Sequence, residues 1–239
     1  MVIMEKYIDN LICDIKNIFS DRFVSAVLFG SYASGNYHKG ISDINIIIIL
    51  DQLQAHDLKI AYPAIKKWKK SNNPAPIFMD KEEWQNSCDV YAIEYSDIKQ
   101  KHKLLYGEDL ITRLIIDKCN LRLQCESEIK KLLIKLRQTY LANSDSIKIM
   151  DNAIKKSVSV FLTIFRGILR LSDENIPVCN IDVISEFACK SGISKEIFIE
   201  ILEYRQNNKM IPKDKTEYII QNLIDSLHQI LVYADKIKI

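Results

Sequence analysis

The chain has 239 residues, 48% hydrophobic and 27% charged, with a mean hydropathy of −0.06. This composition excludes a disordered or collagen-like chain and suits one large domain or two small ones. Lysine and arginine total 33 against 31 acidic residues, a net charge of +2, so no global field for duplex nucleic acid or an anionic bilayer is evident.

In chain order, Met4, Tyr7, Ile8, Leu11, Ile12, Ile15 and Phe19 recur at helical spacing and predict an amphipathic helix over residues 4–20. Residues 23–29, β-branched and aromatic, read as a buried strand ending at Gly30. Residues 41–50 form a second strand, whose isoleucine-rich end lacks polar alternation and is expected to be buried on both faces. A helix is predicted over residues 53–70. Within it, Lys66, Lys67, Lys69 and Lys70 read as a solvated face with Trp68 turned inward. Pro74 and Pro76 break the chain, residues 77–79 suit a short strand, and Asp80 can cap a helix running to Ser87. Residues 90–95 read as a further strand.

Beyond Leu110 helical stripes take over: Leu132, Leu133, Leu136 and Tyr140, then Ala153, Ile154, Val158, Phe161, Leu162, Phe165 and Leu169. Asn180 can cap a helix ending near Gly192, Ser194 can start the next, and Asp214 opens the last. The expected architecture is α+β: a mixed-sheet domain over residues 1–110, then an all-α antiparallel helical bundle over 111–239. Residues 1–6 lack the order of a signal peptide, and the longest apolar run, 46–50, is too short to span a bilayer. The six cysteines (Cys13, Cys88, Cys119, Cys125, Cys179 and Cys189) form no CxxC pair. They are expected to be reduced, mostly buried thiols of a cytoplasmic protein.

Glycine is scarce, with 6 in the chain, yet Gly30, Gly35 and Gly40 fall close together. A strand ending in Gly30-Ser31 can offer backbone N–H groups and a hydroxyl to a phosphate. On the next strand Asp43 and Asn45, at i and i+2, point to one side, and Glu94 is expected to join them from the strand at 90–95. Oxygen donors beside a phosphate cradle are what magnesium needs to hold a triphosphate. His38 and Lys39 lie in the intervening loop, while Tyr91, Tyr95 and Tyr106 either line an acceptor pocket or pack the domain junction. The P-loop spelling fails, because Asn36 stands where lysine is required. No Gly-x-Ser-x-Gly elbow exists for acyl transfer.

At these residues the chain resembles the polymerase-beta-like nucleotidyltransferase superfamily, whose members carry Gly-Ser, a spacer, Asp-apolar-Asp on a strand, and a third carboxylate later. Gly30 and Ser31 match the first element, Asp43 the first carboxylate and Glu94 the third. The helical tail is similar to that of the small-molecule, kanamycin-type branch. The resemblance implies phosphate binding by Gly30 and Ser31, and magnesium held by Asp43, Asn45 and Glu94. Asp43 and Glu94 would be catalytic, with a nucleoside triphosphate as one partner. It implies transfer of a nucleoside monophosphate to a hydroxyl of a small molecule or protein. Two positions depart from the pattern: Asn45 replaces the second carboxylate, and Ser34 stands where many small-molecule members have arginine. Asparagine ligates magnesium through its carbonyl but brings no charge and cannot accept a proton. The alternative is therefore a catalytically inactive member that keeps the pocket as a nucleotide-binding or partner-regulating module.

Overall fold

A computed structural model of the chain describes residues 2–30, 32–33, 44–70, 73–172 and 176–237. The chain divides into two compact units, Met1–Ile116 and Asp117–Ile239.

In the first unit, helix α1 (Val2–Phe19) passes through a 3-10 turn (Ser20–Arg22) into strand β1 (Phe23–Phe29). Then come β2 (Asn45–Leu50), α2 (Ala55–Lys69), β3 (Ile77–Asp80), α3 (Lys81–Asn86), α4 (Ala92–Gln100) and β4 (His102–Gly107). The four strands form one mixed sheet in the order β3-β2-β1-β4. β1 is antiparallel to both β2 and β4, whereas β2 and β3 are parallel.

The isoleucine run is buried on both faces, as its lack of alternation predicts. Ile46, Ile48 and Leu50 join Ala26 and Leu28 in a cluster with Ile8, Leu11 and Ile15 of α1 and Ala61, Ala64 and Trp68 of α2. Ile47 and Ile49 face the other way, with Val27, against Trp84, Tyr95 and Ile98. Each such side chain removed from water contributes about 1.5–3 kcal/mol before the entropy of ordering is set against it.

Polar contacts fix the helix starts. Asp57 sits in the first turn of α2, its side chain only 4% exposed, where it accepts two bonds from the Arg22 guanidinium (2.7 and 3.1 Å) and one from Gln54 N (3.0 Å). These contacts, the Arg22 bond foremost, hold its carboxyl below the usual range. Asp80 caps α3 as expected, accepting from Glu83 N at 2.7 Å.

Two expectations are corrected. Residues 90–95 are not a strand: Ala92–Gln100 is helix, with Ala92, Ile93, Tyr95, Ser96 and Ile98 buried and Glu94 exposed. A six-residue window of mixed polarity does not separate the two periods. The strand that completes the sheet is β4, which pairs along the other side of β1. The cysteines are mostly not buried either: Cys125 is, Cys88 is intermediate, and Cys13, Cys119, Cys179 and Cys189 are exposed, all on or beside helices whose apolar faces are filled by larger residues.

The second unit comprises α5 (Lys118–Asn143), α6 (Ile147–Ser172), α7 (Asn180–Ser191), α8 (Glu196–Gln206) and α9 (Lys213–Lys236). α6 packs against the other four and carries the longest buried face. Phe161, Phe165, Phe187 and Phe198 form its aromatic centre, with Phe165 and Phe187 stacked at 4.0 Å. Gly192 ends α7 in the left-handed conformation (φ +71°), as the sequence predicts. Among the described residues no helix is long and apolar enough to cross a membrane.

Candidate functional site

The site is built at one end of the sheet. Phe29, the last residue of β1, pairs with Asn45 on one side and His102 on the other, so one rung of three residues closes that end. Gly30 follows immediately, with φ +79°. A Cβ there would stand 3.2 Å from Asn45 Nδ2, so the backbone turns out of the sheet directly beside the Asn45 amide. Glycine is favoured at this position by the left-handed φ, while the nearest neighbour of a Cβ is a side-chain amide that can shift slightly. Of the predicted site residues, the structure brings Gly30 and Asn45 together. Ser31 and Asp43 lie outside the described residues, as do Ser34, His38 and Lys39.

Asn45 shares the strand parity of Ile47 and Ile49 and therefore faces the side of the sheet that α4 covers. Phe29 packs against that same cluster. Glu94 lies in the first turn of α4, exposed, one residue before the buried Tyr95. Glu94 is therefore carried by a helix and not, as expected, by a strand beside Asn45.

The tyrosines sort differently. Tyr95 stacks on Trp84 (4.3 Å between centroids) and donates to Trp84 O (2.9 Å), and burial pushes its phenol well above the usual range. Tyr106 stacks on Phe23 at 4.4 Å. Both are packing residues of the first unit, whereas Tyr91 is 51% exposed.

Sequence reasoning missed His102. Its Nδ1 lies 3.1 Å from Ile98 O and 3.2 Å from Lys99 O, at the end of α4, and its Nε2 lies 3.7 Å from Asp109 Oδ1. Asp109 accepts from Thr112 Oγ1 and from the Ile111 and Thr112 amides, and the Thr112 hydroxyl is the main reason its carboxyl titrates below the usual range. Both ring nitrogens face acceptors, so His102 ties the last turn of α4 to the first residue of β4. No periodicity marks this histidine in the sequence; only the pairing with Phe29 does.

The donors expected at the site are oxygens: the Asn45 amide, which lies beside Gly30, and the carboxylates of Asp43, outside the described residues, and Glu94 on α4. Oxygen donors of this kind fit a hard cation such as magnesium and do not fit zinc, which favours nitrogen and sulfur. Among the described residues no group of three or more His, Cys, Asp or Glu converges as a metal site.

Comparison with known proteins agrees with this fold. The family model for the nucleotidyltransferase domain matches residues 12–135, spanning β1, Gly30, Asn45, α4 and β4. No curated protein matches the chain. Among solved structures, spectinomycin adenyltransferase AAD(9) from Enterococcus faecialis, with ATP and spectinomycin, superposes with a TM-score of 0.57 at 15% identity, over 94% of this chain and 99% of the other. A toxin-antitoxin with AMP-PNP overlaps at a TM-score of only 0.30, with 20% identity over 42% of this chain and 73% of the other. The likeness to the adenyltransferase structure is one of overall fold. With the family match over more than half its length, the chain belongs to the nucleotidyltransferase domain family.

Proposed function

We propose that the chain transfers a nucleoside monophosphate from a nucleoside triphosphate to an acceptor hydroxyl, using the Gly30–Asn45 end of its sheet. The observation that carries this reading is the left-handed Gly30 against the Asn45 amide, where the end of β1 meets the start of β2. The backbone beyond Gly30 and the Ser31 hydroxyl hold the phosphates, because a residue without Cβ lets the chain approach them. Asp43 and Asn45, with Glu94 on α4, are the residues to hold magnesium. When bound, that ion would neutralise phosphate charge and polarise the phosphoryl oxygens.

The acceptor oxygen attacks the α-phosphorus, the bond to the α–β bridging oxygen breaks, and pyrophosphate leaves. The acceptor's proton passes to Glu94. Positioning and charge neutralisation supply most of the acceleration. The acceptor expected from the sequence is a small molecule or a protein, and the solved neighbour contains ATP and spectinomycin.

Asn45 favours a second reading, a nucleotide-binding module without turnover, since its amide brings neither the charge nor the basicity of a carboxylate. The two separate when the chain is incubated with magnesium, labelled triphosphates and an acceptor panel, and pyrophosphate is measured. Turnover by the natural chain that vanishes in Asp43→Ala supports the transferase. Turnover absent from the natural chain but present in Asn45→Asp supports the binding module. Failure to bind any triphosphate refutes both.

A further inference from the structure

The last turn of α2 lies at the same end of the sheet as Gly30 and Asn45. α2 links two parallel strands and so returns the chain from the end of β2 to the start of β3, where Ile77 pairs with Ile47. Trp68 Nε1 donates to Pro74 O at 2.7 Å, pinning that turn to the segment entering β3. At about 100° per residue, Lys59, Lys66 and Lys70 fall within about 40° of one another on the outward side, opposite the buried Asp57, Ala61, Ala64 and Trp68. Tyr62 lies about 60° from Lys59 and is 60% exposed.

Among the described residues none of Lys59, Lys66, Lys69 and Lys70 has a carboxylate partner, whereas Lys67 pairs with Asp14 at 3.0 Å. The sequence from Leu58 to Met79 contains no acidic residue, and Asp57 is spent on Arg22. Favourable placement near a helix C-terminus accounts for lysines in the last turn but not for Lys59 or the exposed Tyr62 three residues beyond it.

We propose that the outward face of α2 is a binding track for a single-stranded nucleic acid, with Lys59, Lys66 and Lys70 on its phosphates and Tyr62 as a stacking platform, leading to the Gly30–Asn45 end of the sheet. The charge is local, which reconciles it with a chain of net charge +2. A stripe one helix wide with an exposed ring suits a single strand, which combines backbone charge with base stacking. A bilayer surface would require an apolar centre to the exposed face. Here Leu58 and Ile60 lie about 100° to either side of Lys59, and lysine occupies the centre. The inference goes beyond the proposed transferase activity and does not depend on it.

The test is fluorescence anisotropy of the full chain with a labelled single-stranded oligonucleotide of about 16 nucleotides. The expected result is binding whose log–log salt slope is about −2, from three lysines at about −0.7 each. The variant Lys59→Ala/Lys66→Ala/Lys70→Ala should lose at least tenfold in affinity and most of that slope, and the corresponding lysine-to-arginine variant should keep both. Tyr62→Ala should weaken binding several-fold with the slope unchanged. Unchanged affinity in the alanine variant overturns the proposal, as does equal capture of polyglutamate or of a duplex, or preferential pelleting with phosphatidylserine vesicles. Binding of a fluorescent triphosphate, read separately, tests the transferase site, so either idea can fail alone.

Discussion

Gly107→Ala should be the most damaging single-methyl change in the first unit. At φ +76° an added Cβ would lie 1.9 Å from Val24 O and 2.9 Å from Val24 C, both backbone atoms of β1. No rotamer relieves that overlap, so the end of β4 must leave β1. The move endangers Glu108 N→Val24 O (3.1 Å) and Ser25 Oγ→Glu108 O (2.7 Å). Left-handed strain costs about 1–2 kcal/mol and each lost hydrogen bond about 1 kcal/mol, a total of about 3–4 kcal/mol. Gly30→Ala is the matched control. Its φ is nearly the same, +79°, but its Cβ meets only a side-chain amide at 3.2 Å, so strain of about 1–2 kcal/mol is the whole effect.

The chain's two tryptophans, Trp68 and Trp84, both lie in the first unit, so tryptophan fluorescence in urea follows that unit without interference from the helical one. With m about 2 kcal/mol/M, the midpoint should fall by about 1.5–2 M for Gly107→Ala and about 0.5–1 M for Gly30→Ala. Equal shifts in the two variants would refute the reasoning, because they would mean that φ alone, and not the approach of β4 to β1, decides the cost.

Asp57→Asn should flatten the acid side of the stability profile. The folded carboxyl is held low, so its contribution is complete above the ordinary carboxylate range and is lost as pH falls through the lowered value; urea midpoints from pH 7 downward check this. Tyr95→Phe removes the bond to Trp84 O and should cost about 1–1.5 kcal/mol at neutral pH. Because the folded phenol is raised, the natural chain should lose that tyrosine's contribution as pH climbs past the ordinary phenol range, and the variant should not. On the proposed site, Asn45→Asp should tighten magnesium-dependent triphosphate binding by about tenfold, the difference between a charged and a neutral oxygen donor; titration calorimetry with and without magnesium would show no change if Asn45 lies away from the ion.

Much of the molecule is determined by sequence alone, where a local pattern is long enough to carry its own period. The isoleucines of β2 announce burial on both faces, and α6 presents a continuous apolar stripe from Met150 to Leu171. Gly30 was legible because a glycine-poor chain places one at the end of an apolar strand. Tertiary structure alone decided the rest of the sheet. His102–Gly107 alternates weakly, with burial on neither face complete, and becomes a strand because β1 has a free edge and Gly107 alone lets the backbones close. Residues 90–95 resemble a strand in isolation, but Tyr95 and Ile98 gain a surface to bury only when they coil against Val27, Ile47 and Ile49. Glu94 consequently rides on a helix, and His102 reaches the Phe29–Asn45 rung. Neither position follows from local propensity, because both are set by contacts between residues far apart in the chain.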